Sequence, residues 1–406
     1  MSTPQEKLEA MLKNFEVRTK TDLNHPAKNL RDLLEHSPDL KARFLDSVGK
    51  GHLERFDLLP AGAHAGGTYN SGTKSMELPQ SFLDSAGTST ASKAELVFVM
   101  GHEIQHSFNS TVTSDATTKF TQQVDKVAKG PGPHDYTTAI DNLIRTNRRD
   151  EASANLGGFN ALASQMQKDH PKATLEDLYE STHFRMQDFI DRSGTKPNFT
   201  YALKPDLTFD KDKDGKTLMH LTASKENVEA MGKHYFDKAL AAPNGLGPKG
   251  NQDYHNYYGN WALNQINVAE KAAQATHKSD PKYVPPKVEV DLHKVGLDKG
   301  QLDTHLKYAD TSPVIKKPVI PGAHVSEHDV AVPAAQASKG PFGDPLLDQA
   351  FLAMQKGQDA QLNASAQHLQ SSPEGQKLLQ TGTDLLAQQQ SQEQAAPTQS
   401  MPAQSR

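Results

Sequence analysis

The chain of 406 residues contains no cysteine. That excludes a disulfide scaffold, thiol catalysis and cysteine-ligated metal. Tryptophan occurs once, and hydrophobic residues make up only 35% of the sequence, so part of the chain is expected to be extended or disordered. No apolar run is long enough to span a bilayer, and the start, Met1-Ser2-Thr3-Pro4-Gln5-Glu6, lacks the basic and then apolar character of a signal peptide. Basic charge is not in excess: a net charge of -5 and a pI near 6.4 leave no electrostatic footprint for nucleic acid. The expectation is a soluble protein with no nucleic-acid partner and no membrane span. If exported, it leaves by a route other than the general signal-peptide one.

What is present is mostly helical patterning. Residues 1–50 read as an N-terminal helical segment, with Leu8, Met11 and Leu12 on one face. Short extended stretches follow in "LERFDLLP" and "GTYNSGTKSMELP", separated by glycine-rich turns. Ser92 with Glu95 three residues on predicts a capping box opening a helix. Further helices are expected from Tyr136 past Leu162, from Thr174 to Arg192, from Ser224 to Leu240 and from Tyr254 to Ala275, with two strands in "LTFDKDKDGKTLMHL". Together these predict an α+β fold, mostly helical, with a catalytic domain over 51–277. A proline- and lysine-rich extended linker is expected over 278–342, and a Gln/Ala-rich helical tail with a disordered end over 343–406.

The decisive stretch is "SKAELVFVMGHEIQHSFNS", in which an apolar run leads into His102-Glu103-Ile104-Gln105-His106. Four residues apart on a helix, two imidazoles share one face and are able to bind one metal ion. Glu103 then projects beside the ion, where it holds a water and takes its proton, while a bound Zn²⁺ lowers that water's pKa from about 15.7 to about 7. H-E-x-x-H arises by chance in roughly one such chain in thirty, so context must carry the reading. The context is a capped apolar helix with no charge at Ile104, Gln105, Ser107 or Phe108. Buried unpaired charges are costly, and metal ligation is the economical reason to place them there.

Two histidines leave a catalytic zinc one protein ligand short. The continuation H-x-x-G-x-x-H fails, because Asn109 and Val112 stand at its glycine and histidine. A glutamate from a later helix is the other solution. In "NRRDEASANLGGFNALA", Glu151 lies among Ala154, Asn155 and Gly158, small residues that allow close helix packing. Asn155 is placed to hydrogen-bond a ligand histidine from outside the coordination sphere. Asp150, His134 and Asp135 are the alternative ligands.

"VMGHEIQHSF" followed by a downstream glutamate resembles the zincin metallopeptidases of the glutamate-ligand type. It is more similar still to the zincin toxin domains fused to some type VI secretion spike proteins, over about residues 50 to 270. The gap from His106 to Glu151 is long for the thermolysin-like pattern, and Asn155 stands where an aspartate usually follows the glutamate ligand. The resemblance implies one zinc per chain and an edge strand for an extended substrate, here Lys74, Ser75, Met76 and Glu77. It also implies a hydrogen-bond donor for the tetrahedral oxyanion, for which "DYHNYYGNW" offers Tyr254, His255, Tyr257 and Tyr258.

Asp210 to Gly215 matches the first half of a calcium loop, but Leu221 stands at the position of the bidentate glutamate, so a solvated turn and no calcium are expected. P-loop and G-x-S-x-G motifs are missing. The segment "DPLLDQAFLAM" and the Gln-rich helices after it are similar to C-terminal secretion domains of type IV effectors in Xanthomonas-like bacteria. The expected function is a zinc metallopeptidase acting as a secreted effector toxin on a protein or a peptidoglycan stem peptide. Its partners would be a secretion-system component and an immunity protein, and it would be cytoplasmic in the producer before delivery to a target cell, whose periplasm is one of the compartments open to it. The competing expectation is an adaptor with a degenerate H-E-x-x-H, acting through its tail.

Overall fold

The computed structural model describes residues 2–19, 25–60, 66–239, 246–247 and 250–313. The expected helical tail over 343–406, with its secretion-domain likeness, and the later part of the proline-rich segment lie outside the described residues.

Three helices open the chain: α1 (Pro4–Thr19), α2 (Pro26–His36) and α3 (Pro38–Gly49). Proline sits at the start of α2 and α3, where its missing N–H is no loss and its fixed φ suits the first turn. Leu8, Met11, Leu12 and Phe15 recur at helical spacing and are buried in one core with Leu30, Phe44, Phe56, Phe98 and Met100. The Ser37 hydroxyl donates to the carbonyl of Ala161, 2.8 Å away. Residues expected to form a separate N-terminal segment are therefore continuous with the body of the fold.

Strands β1 (Arg55–Leu58), β2 (Thr68–Asn70) and β3 (Ser75–Leu78) form a sheet in the order β1-β3-β2. The predicted substrate edge strand is corrected here. Ser75, Met76 and Glu77 lie on the middle strand, parallel to β1 and antiparallel to β2, and Lys74 adjoins it. The cause is the turn, where Asn70 Oδ1 accepts from the amides of Gly72 and Thr73 at 3.0 and 3.1 Å and folds β2 back onto β3.

After α4 (Gln80–Ser85), the 39-residue helix α5 (Thr90–Ala128) carries the H-E-x-x-H motif. Its cap is Ser89, whose side chain accepts from the Ser92 amide, and Glu95 instead pairs with Arg185 at 2.6 Å. Two serines three apart compete for one cap, and the first wins because its own backbone is extended. Strand β4 (His134–Asp135) then leads into α6 (Thr137–Asp169). The contacts run from Gly101 to Gly158 and from His106 to Asp150, so α5 and α6 are antiparallel. A Cβ on Gly101 would lie 2.6 Å from both the Ala161 Cβ and the Gly157 carbonyl, and one on Gly158 2.8 Å from the Phe98 carbonyl. The missing side chains are what let the two backbones touch.

The predicted helix over Thr174–Arg192 is shorter. Thr174 and Asp177 form a capping box for α7 (Leu175–Ser181), which gives way to α8 (His183–Met186). Ile190 onward instead pairs in a hairpin of β5 (Ile190–Thr195) and β6 (Asn198–Leu203). The acidic turn closes through one bridge, Lys211 to Thr217, rather than two strands, with Asp212 Oδ1 accepting from the amides of Asp214 and Lys216. Helix α9 (Lys225–Met231) runs into a π-helical turn, Gly232–Phe236, and α10 (Tyr254–Thr276) follows.

The chain beyond 277 does not begin as an extended linker. Strands β7 (Val288–Val290) and β8 (Ala309–Asp310) join β4 in a parallel sheet. Val288, Val290, Leu292, Val295 and Leu297 are buried in a second core with Phe120, Tyr136, Ile140, Leu263 and Ile266. The alternation Val-Glu-Val in a proline-rich context is enough to add a strand.

Candidate metal centre

On α5, His102 and His106 stand one turn apart with their Nε2 atoms 3.0 Å from each other. Glu151 Oε2 on α6 lies 3.5 Å from His102 Nε2, and one ligand atom from each of the three residues falls within 4.8 Å of the others. His102 and Glu151 are buried. Two imidazoles and a carboxylate make a group able to hold a metal ion.

The nitrogens that face inward are set by what the opposite ring nitrogens meet. His102 Nδ1 is 3.2 Å from Asn155 Oδ1, and His106 Nδ1 is 3.0 Å from Asp150 Oδ2. Asn109 donates to the other Asp150 oxygen and to Ser153 Oγ, each at 2.7 Å. Tyr258 donates to Glu151 Oε1 at 2.8 Å, leaving Oε2 for the histidine side. Such partners fix ring orientation, so that both Nε2 atoms face one point.

Glu103 stands beside this group, and its Oε2 accepts the Tyr69 amide of β2 at 2.8 Å. Burial raises its pKa above the usual carboxylate value against the pull of His106 and His102. For His106, burial opposes the charged form, but the hydrogen bond and charge of Asp150, with Glu151 and Glu103 behind them, push its pKa up to about 10. Burial works against the Glu151 carboxylate too. The His102 hydrogen bond, the histidine charges and Tyr258 nevertheless hold it below its ordinary value. Three carboxylates, Glu103, Asp150 and Glu151, surround two imidazoles, so the pocket favours positive charge.

A wall of tyrosines closes one side. Tyr235, on the π-helical turn, places its ring centroid 6.1 Å from that of His102, and its hydroxyl bonds that of Tyr254. Burial, reinforced by the negative charge of Glu151, raises the pKa of Tyr235, Tyr254 and Tyr258. All three stay protonated at neutral pH and serve as hydrogen-bond donors.

Of the proposed oxyanion donors, Tyr258 reaches the group directly and Tyr254 through Tyr235. His255 is turned away, its Nε2 lying 2.9 Å from Asp237 Oδ1. Tyr257 is exposed. The alternative ligands fall elsewhere: His134 Nδ1 pairs with Glu270 at 2.6 Å, Asp135 accepts the Thr137 amide, and Asp150 supports His106 from behind. Sequence reasoning missed Tyr235 and the Tyr69 amide. The former sits in an irregular turn that helical periodicity does not describe, and the latter is a backbone group with no side-chain signal.

Comparison of the chain with known protein families, with curated proteins and with solved structures gives no match.

Proposed function

We propose that the chain is a zinc-dependent metallopeptidase, with His102, His106 and Glu151 as metal ligands and Glu103 as general base. The observation that carries this reading is the convergence of those three side chains on one point with the Glu103 carboxylate beside it. A bound zinc would supply Lewis acidity, lowering the pKa of a water and polarising the scissile carbonyl. The protein residues do the rest. Glu103 accepts the proton of the attacking water and passes it to the leaving amine. Burial raises its pKa above the usual carboxylate value, which makes it a stronger base for that proton than an exposed glutamate. Tyr258 uses its one O–H on Glu151, so the donor to the oxygen on which charge develops is the O–H of the Tyr235–Tyr254 pair that the bond between them does not use. Asn155 and Asp150 keep the two imidazoles aimed.

With β3 in the middle of its sheet, β2 is the edge strand beside Glu103. A Cβ on Gly67, at the approach to β2, would lie 2.6 Å from Val99 Cγ1 and 3.6 Å from Glu103 Cγ, a measure of how closely this segment rests on α5. We place the substrate's extended main chain along β2. The biological role we attach to the activity is that of a secreted bacterial effector toxin, supported by the likeness of the motif region and of the tail to effector segments.

The test is peptide hydrolysis by the zinc-loaded chain and by Glu103→Gln. The variant should keep its metal and lose about 10²- to 10⁴-fold in kcat. Full activity in Glu103→Gln, or no hydrolysis by the zinc-loaded parent, overturns the proposal.

A further inference from the structure

Helix α10 carries an aromatic stripe that the proposed chemistry does not use. Tyr257 and Trp261 lie one turn apart on the helix, and Val268 continues their stripe. They are 42%, 39% and 63% exposed. Scattered exposed aliphatics are ordinary on any surface. Among the described residues, however, the large exposed hydrophobics outside this stripe are all aliphatic, Val17, Val112, Leu218 and Val284. The two exposed aromatics stand side by side, and one is the chain's sole tryptophan.

Their position ties them to the metal centre. The Tyr257 ring packs edge-on against Tyr258 with centroids 5.4 Å apart, and Tyr258 is the residue that holds Glu151. Trp261 rests on Phe120 of α5 at 5.7 Å. Phe120 shares a helical face with His106, Ser110, Thr113 and Thr117. The two helix stretches that carry them hold few charges. From Tyr254 to Ala269 there is no Asp, Glu, Lys or Arg, and between His106 and Lys119 there is only Asp115. An acidic or basic substrate side chain would find no counter-ion on this stretch of α10 itself, which Asp303 borders at Asn260, whereas an apolar one would find two aromatic faces.

We propose that Tyr257 and Trp261 form a specificity subsite that takes an apolar or aromatic side chain of the peptide substrate. Trp261 lies about 4.5 Å along α10 from Tyr258. Phe120, on which Trp261 rests, lies about 21 Å along α5 from His106, so at about 3.3 Å per extended residue the selected side chain stands up to roughly six residues from the bond cleaved. The inference rests on the metallopeptidase reading and adds the class of substrate that it selects.

The zinc-loaded chain, Trp261→Ala and Tyr257→Ala would each digest a proteome-derived peptide library, with cleavage sites mapped by mass spectrometry. The parent should favour an apolar residue at one fixed distance from the cleaved bond. Both variants should lose that preference, with KM for the best apolar peptide rising about 10-fold. As a reading independent of turnover, a tryptophan-free form of that peptide should shift the Trp261 fluorescence of zinc-loaded Glu103→Gln, and its glycine-substituted counterpart should not. Cleavage by the parent with a preference that both variants retain, and no fluorescence change, would overturn the subsite and leave the peptidase standing. No cleavage of any library peptide by the zinc-loaded parent would overturn the peptidase reading, and the subsite with it.

Discussion

Asp150 shows how much of the candidate metal centre lies outside the three residues able to hold an ion. One of its oxygens meets His106 and the other accepts from Asn109, which itself bonds Ser153, so the imidazole is held by a chain of side chains anchored on α6. Asp150→Ala is expected to weaken metal binding about 10- to 100-fold while leaving all three ligands in place, as measured by competition with a chelating dye. A second residue-scale prediction concerns Asp237, which pairs with Arg148 at 2.7 Å and His255 at 2.9 Å. Burial works against its charge, but His255 and Arg148 outweigh it and hold its pKa near 2, below an ordinary value of 3.8. A depressed carboxylate contributes stability that is complete above its ordinary value and is lost as pH falls toward 2. Asp237→Asn should therefore cost about 2 kcal/mol or more at pH 7 in urea unfolding, and the gap from the parent should shrink between pH 4 and pH 2.

At the scale of elements, the site depends on the antiparallel contact of α5 with α6. Gly101→Ala puts a methyl group 2.6 Å from Ala161 and the Gly157 carbonyl, so the helices must separate. The expected cost is about 1 to 3 kcal/mol in thermal unfolding, against a helix-propensity gain of at most about 1, with metal affinity falling alongside. This contact was legible in the sequence: the Gly157-Gly158 pair beside Glu151 announces close packing, and the spacing of His102 and His106 announces a shared face. What was not legible depends on partners distant in sequence. The pattern of Ser75–Leu78 marks a strand but does not reveal that β1 and β2 flank it on both sides. Ser89 and Ser92 are equally good caps until the backbone chooses. Ile190–Thr195 leaves the helical course because Asn198–Leu203 is there to pair with it.

Across the whole molecule, the described residues form two cores joined by the long helices that carry the site. The first gathers the N-terminal helices around the start of α5 and the later half of α6, and the second gathers β7 and α10 around the start of α6 and the end of α5. Glu151, Tyr258 and the histidines lie where the two meet, which is why residues as far apart as His102 and Tyr258 converge. The class of the fold, α+β and mostly helical, follows from the periodicity of the sequence. The inclusion of residues 288–310 does not, because short strands such as Val288–Val290 acquire their meaning only from the strands beside them. The central claim is that His102, His106 and Glu151 together hold one metal ion. Its most direct test is elemental analysis of the purified chain beside His102→Ala and Glu151→Ala, each after zinc loading and gel filtration. About one zinc per chain, lost in the first variant and sharply reduced in the second, is the result this account predicts. A parent chain that takes up no zinc, or variants that retain it in full, would contradict it.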